Sequence, residues 1–183
     1  GVRKEIIDKM NPYTISFTQS EAGFTSQIDE EVIYVDMKPS TYNLIERLKK
    51  DLVIEGKEEV ILADTGVKLQ SKCHQLFSGT IKFESGNNAV IDDTKAQKIK
   101  SRFIGNRIGI FYKFKAELKA LKQVFGDELC EDVEKFDNEG YRVIALQIVS
   151  GREGISLRNA EYLIFYNIDF SATSYWQARD RMT

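Results

Sequence analysis

Apolar residues recur along this 183-residue chain with two periods, and the switch between them predicts an order of elements. Val143–Val149 and Tyr162–Tyr166 are continuous apolar runs of strand length, rich in β-branched and aromatic residues, and Arg107–Tyr112 is a third. The first two are each followed by residues able to start a helix, the pattern of a parallel α/β sheet. A helical period governs the segments around them. Phe114, Leu118, Leu121 and Phe125 form one stripe closed by Gly126, and Ala96, Ile99 and Phe103 form another, opened by Asp92 or Asp93 as cap. Upstream, Tyr42, Ile45, Leu48 and Leu52 predict a helix over Thr41–Leu52 behind Pro39-Ser40, and Leu69 and Leu76 point inward from a helix over Thr65–Phe77. Tyr13–Thr18 alternates with the period of a strand, and Val32–Met37 is apolar enough for another. Thr80–Glu84 and Ala89–Ile91 flank Ser85-Gly86-Asn87-Asn88, which is turn chemistry, so a hairpin is expected there. Gly1–Met10 is charged and predicted helical, Asn11-Pro12 breaks that helix, and Ser20–Glu31 is polar enough for a loop.

Composition changes this picture little. A chain of this length with 42% hydrophobic residues buries about 70% of its unfolded surface, which favours one domain with an extension over two full domains. The net charge of -2 gives no global nucleic-acid signal. Locally, Lys95, Lys98, Lys100, Arg102, Arg107, Lys113, Lys115, Lys119 and Lys122 face only Glu117, and the sign reverses over Asp127–Glu139. Such a basic stretch suits a phosphate backbone and equally suits solvated helix faces; charge alone leaves both open. Cys73 and Cys130 are too few and too far apart for a disulfide framework or a zinc site, and His74 is the single histidine, so no metal site and no histidine-based triad is expected. The sequence contains no signal peptide and no membrane-length apolar run, which predicts a cytoplasmic protein without a membrane partner.

The chemistry concentrates near the end. Ser150-Gly151-Arg152-Glu153-Gly154 follows the first apolar run, and its two glycines allow close backbone approach where open α/β sheets bind ligands. After the second run, Ser171 is able to cap a helix in which Gln177 and Arg181, four apart, share one face. Ser-Gly-Arg-Glu-Gly-Ile-Ser-Leu followed by Gln-Ala-Arg-Asp-Arg resembles motifs V and VI of superfamily-two helicases and translocases, most of all the Swi/Snf-type branch and the compact helicases of phages and prophages. Leu69–Ile91 followed by Asp93-Thr94-Lys95 resembles the stretch ahead of the second motor lobe in phage-type helicases, and Arg107–Tyr112 takes the position of motif IV.

The resemblance implies an α/β fold, a RecA-like parallel sheet flanked by helices, with an N-terminal helical and β-hairpin extension. Residues 1–86 would form the extension and inter-lobe segment, and residues 87–183 the second lobe, ending inside motif VI one residue before its last arginine. Arg181 would meet the terminal phosphates of ATP and Gln177 would couple the nucleotide to the first lobe. Gly154 and Ser156 would lie on the nucleotide side, Ser156 standing where Asp or Asn is common. Ser150 and Gly151 would bring backbone to the nucleic acid. Lys113 and Lys115, at a strand exit, are candidates for backbone-phosphate contact. The implied cofactors are ATP and Mg²⁺. The chain has no Gly-x-x-x-x-Gly-Lys-[Ser/Thr] and no Asp-Glu pair behind an apolar strand, so the phosphate cradle and the Mg²⁺ site are expected on the first RecA-like lobe of the same polypeptide. The implied partner is DNA, double-stranded in the first instance with RNA left open, in a bacterial or phage-infected cell. Between Gly126 and Gly140 larger relatives carry a longer insert, which leaves nucleic-acid contacts from that region open. The expectation is a second motor lobe of an ATP-dependent DNA helicase or translocase, inactive as an isolated fragment. The alternatives are a nucleic-acid-binding module without ATPase activity and, third, a doubly wound domain holding a small phosphorylated ligand at Gly151–Gly154.

Overall fold

The computed structural model describes residues 13–19, 30–148 and 157–167. In chain order the elements are β1 (Tyr13–Gln19), β2 (Glu30–Tyr34), α1 (Pro39–Asp51), β3 (Val53–Glu55), β4 (Val60–Leu62), α2 (Gly66–Phe77), β5 (Thr80–Lys82) and β6 (Asn88–Val90). They continue with α3 (Thr94–Arg102), β7 (Ile108–Tyr112), α4 (Lys115–Phe125), β8 (Leu129–Cys130), α5 (Val133–Asn138), β9 (Val143–Gln147) and β10 (Tyr162–Phe165).

The three apolar runs form the centre of the main sheet, whose order is β2-β1-β10-β7-β9-β8. β10, β7, β9 and β8 are parallel, with Ile110 opposite both Ile164 and Ala145. Every residue of β7 is buried, as a central strand covered on both faces requires. Ile108, Ile110 and Tyr112 point to one face with Val143, Ala145, Ile164 and Tyr166, and pack on Ala96, Ile99 and Phe103 from α3 and Ala120, Leu121 and Val124 from α4. Phe111, Ile144, Leu163 and Phe165 point to the other face, onto Phe136 of α5, Cys130, Leu157 and Ala160. This α/β arrangement, a four-stranded parallel sheet flanked by helices, is the one expected of a RecA-like lobe. Gly109 serves that second layer, because a Cβ there would come within 2.6 Å of the Leu157 side chain. β1 then adds antiparallel to β10, and β2 to β1, so strands from the first 34 residues extend the sheet.

A second core lies upstream, where Ile45 and Leu48 of α1, Leu69, Cys73 and Leu76 of α2, Ile54, Ile61 and Ile81 pack together. Pro39 opens α1, where its missing N–H is no loss, and Thr65 caps α2 by accepting a bond from the Lys68 N–H at 3.1 Å. The β5–β6 pair is antiparallel, as its turn chemistry predicts. Asp92 fastens this unit to the sheet layer. Its carboxylate accepts from the Lys38 N–H at 2.8 Å, from the Thr41 hydroxyl at 2.7 Å and from the Thr94 N–H at 3.0 Å, joining the starts of α1 and α3. Of the two aspartates expected to cap α3, Asp92 therefore makes the bond to the helix start, while Asp93 occupies the N-cap position without a side-chain capping bond.

Three details depart from the sequence reading. Leu52 does not join the inward stripe of α1; it closes the helix in the left-handed region at φ 61° and is 37% exposed. The short antiparallel pair β3–β4 and the two-residue strand β8 have no counterpart in the periodicity. The strand expected over Val32–Met37 runs instead over Glu30–Tyr34, although Ile33, Val35 and Met37 all face the core. The expected N-terminal helix and residues 20–29 of the expected loop Ser20–Glu31 lie outside the described residues, while Glu30 and Glu31 belong to β2 rather than to a loop. Among the described residues, no helix is long and apolar enough to cross a membrane.

Candidate functional site

The parallel strands deliver their exits to one edge of the sheet. Tyr112 ends β7 opposite Gln147 of β9, and Phe165 of β10 lies opposite Phe111. Just past these ends the exits are stitched together: Ile148 N–H donates to Tyr112 O at 2.7 Å, Gln147 Nε2 donates to Lys113 O at 2.9 Å, and Tyr166 N–H donates to Phe111 O at 2.9 Å. The carboxyl edge of a parallel sheet is where α/β folds bind ligands, because backbone leaves the ladder there and helix N-termini converge.

The turn Lys113-Phe114 between β7 and α4 is held by Glu117. One carboxylate oxygen accepts from the Lys113 N–H at 2.8 Å and the Phe114 N–H at 2.7 Å, half of a capping box drawn back from the third helical position. The other oxygen accepts from Asn167 Nδ2. Asn167 in turn accepts from Lys95 Nζ at 2.8 Å through its own Oδ1, and Lys95 also donates to Tyr166 O at 3.1 Å. Lys95 is 1% exposed and Glu117 is fully buried, so α3, the exit of β10 and the turn carrying Lys113 meet in one dry polar cluster. Burial pushes the Lys95 ammonium down to about 7 against the attraction of Glu117, and burial likewise pushes the Glu117 carboxyl up against Lys95 and its hydrogen-bond donors. The Tyr166 phenol, buried beside them, is pushed up as well, by desolvation first and then by Glu117.

A titration follows from this burial. In a ¹³C NMR titration of lysine Cε resonances, Lys95 should move with a midpoint near 7, far below the ordinary 10.5. Because the unfolded lysine keeps its proton up to 10.5, unfolding takes up a proton between pH 7 and 10.5, and this group alone makes stability rise with pH across that window. A midpoint near 10 would mean that the ammonium reaches water.

The basic stretch is not one surface. Lys95 is in the core, which corrects its place in a phosphate-facing run. Arg107 lies 4.1 Å above the Phe136 ring and donates to the Phe136 and Tyr141 carbonyls. Lys100 donates to Val124 O at 3.0 Å, and Lys122 pairs with Glu131 at 3.0 Å. Lys113 and Lys115 remain at the carboxyl edge, where they line a cleft of about 260 Å³ between α4, Gln147 and the β5–β6 hairpin. Gln147 and Asn167 were not among the residues singled out from sequence, and Lys95 and Glu117, named there in the basic stretch, were not read as a buried pair. Of the residues that were singled out, Lys113 and Lys115 are brought together here, beside Gln147 at the end of β9. Ser150, Gly151, Gly154, Ser156, Gln177 and Arg181 themselves lie outside the described residues. Among the described residues, no cluster of His, Cys, Asp and Glu is arranged to hold a metal ion. No protein-family model matches the chain, and no curated protein matches it in sequence.

Proposed function

We propose that this chain is the second motor lobe of an ATP-dependent DNA helicase or translocase, with its carboxyl edge on the nucleic acid and the segment after β10 turned to the nucleotide. One observation carries the reading: the exits of β7 and β9 are adjacent. The strands that precede the two segments resembling nucleic-acid-contacting motifs, Lys113–Lys115 and the stretch opening at Ser150, therefore end side by side. The Gln147 and Glu117 bonds to the Lys113 backbone fix the root of that lysine, so a phosphate contact loses less freedom on binding. ATP and Mg²⁺ would be held mainly by a first lobe, with Gln177 and Arg181 approaching from this one, and Gly154 and Ser156 next to them.

The test is the salt dependence of DNA binding by the full-length protein. Each phosphate contact on duplex contributes about 0.9 to the log–log slope, so the double variant Lys113→Glu, Lys115→Glu should bind more weakly, with a slope shallower by about two. An unchanged slope would assign these lysines to a solvated face and remove the support for this orientation. DNA binding without any DNA-stimulated ATP turnover would favour the second reading, a nucleic-acid-binding module.

A further inference from the structure

The cleft has two walls, and one of them belongs to the upstream unit. Lys82, in β5, lines it together with Lys113 and Lys115, with Gln75, Asn88 and Gln147 supplying polar lining and no carboxylate among the described lining residues. Both walls are built rigidly. The Lys82 N–H donates to Gln75 Oε1 at 2.8 Å and its carbonyl accepts from Lys72 Nζ, so α2 holds the root of Lys82 as Glu117 and Gln147 hold that of Lys113. The walls are also tied to each other: Lys119 of α4 donates to Asn88 O at 3.3 Å, and the His74 ring meets Phe114 edge-on at 5.1 Å. Three lysines on two braced elements thus line one concave surface.

We propose that the β5–β6 hairpin is the second wall of a phosphate-backbone subsite and that Lys82 is a phosphate contact, an assignment that rests on the nucleic-acid reading above. At about 260 Å³ the cleft is smaller than most small-molecule pockets, about 300–1,000 Å³, and its lysines and polar lining suit the sugar–phosphate backbone of one strand. The ligand class is therefore a single nucleic-acid strand, either free or as the tracked strand of a duplex. The upstream unit is then part of the track and not merely a spacer between lobes.

The experiment uses the full-length protein and a single-stranded oligonucleotide, with binding followed by fluorescence anisotropy over a range of salt. Lys82 is exposed, so Lys82→Gln leaves the fold intact, and it should lower the log–log slope by about 0.7, the value for one contact on a single strand. Lys57→Gln, in the β3–β4 turn and outside the cleft lining, should leave the slope unchanged. A parental slope for Lys82→Gln, alongside a reduced slope for the Lys113, Lys115 double variant, would overturn the hairpin wall and leave the motor-lobe orientation standing. A parental slope in both would overturn the two together. An equal fall for Lys57→Gln would reduce the effect to net charge and also overturn the proposal.

Discussion

Glu117→Ala should destabilise the chain by about 3–5 kcal/mol, the range for removing one partner of a buried charge pair. Two effects add up at this position. The Lys113 and Phe114 amides lose their acceptor, and a buried unsatisfied donor costs about 1–3 kcal/mol. Lys95 loses the carboxylate that, among the described residues, opposes its desolvation, and must give up its proton or remain charged while buried. Glu117→Gln separates these effects. Its carbonyl oxygen still caps the turn, but its NH₂ then meets the Asn167 NH₂, a donor facing a donor, unless Asn167 turns over and withdraws its oxygen from Lys95. Gln should accordingly fall between Glu and Ala in urea unfolding. Adding Lys95→Met to Glu117→Ala should recover part of the loss, because the unpaired ammonium is gone and the two sites share one network. If Glu117→Ala unfolds within 1 kcal/mol of the parental chain, the cluster is solvated and the account of it is wrong.

The same cluster shows where sequence reading stopped. Strands β7, β9 and β10 were legible because a strand covered on both faces has to be apolar throughout, and helices α2, α3 and α4 because their stripes end at Gly79, Phe103 and Gly126. β8 was not legible, since two residues, Leu129-Cys130, carry no period, and its pairing with β9 is a tertiary fact. The β3–β4 pair, three residues a side, is too short for the same reason. Lys95 read as part of an exposed basic stretch, facing either a phosphate backbone or solvent, with Glu117 the one acid in it, because charge is the default sign of exposure. A signal was nevertheless present. Lys95 stands four residues before Ile99, and Glu117 four before Leu121, so each lies on the buried stripe of its own helix, and the two have opposite sign. Charged residues on the inward stripes of two neighbouring helices are a pair waiting to be matched. The acceptor that completes the set, Asn167, follows an apolar strand and had no local pattern to mark it.

This geometry also gives the motif VI expectation a physical setting. Asn167, at the exit of β10, bonds to the residue that caps the Lys113 turn, and the chain beyond it leads toward Gln177 and Arg181. Under the motor-lobe proposal, Asn167 and Glu117 would link the segment after β10 to the strand exit that carries the proposed phosphate contacts. Coupling of nucleotide state to nucleic-acid grip needs a connection of this kind, made of discrete hydrogen bonds that are either formed or broken.

In the full-length protein, Arg181→Ala should lower DNA-stimulated ATP turnover by at least about a hundredfold while leaving the apparent KM for ATP much less changed. The magnitude is a cautious reading of the roughly 10³–10⁵ contributed by arginine fingers in phosphoryl transfer, since a further arginine of the motif would compensate in part. The asymmetry between kcat and KM follows from when the charge appears. A guanidinium brought across a cleft meets negative charge that grows on the transferring phosphate only as the transition state forms, so its removal raises the barrier more than it weakens ground-state binding. Arg179→Ala provides the control, because a residue two positions away projects from a different side of a helix and should retain most of the turnover. Circular dichroism and thermal unfolding on both variants separate loss of chemistry from loss of fold. Should the two variants turn over ATP at the parental rate while folded, Arg181 is not the cation of an inter-lobe site, and the nucleic-acid-binding module takes the place of the motor lobe.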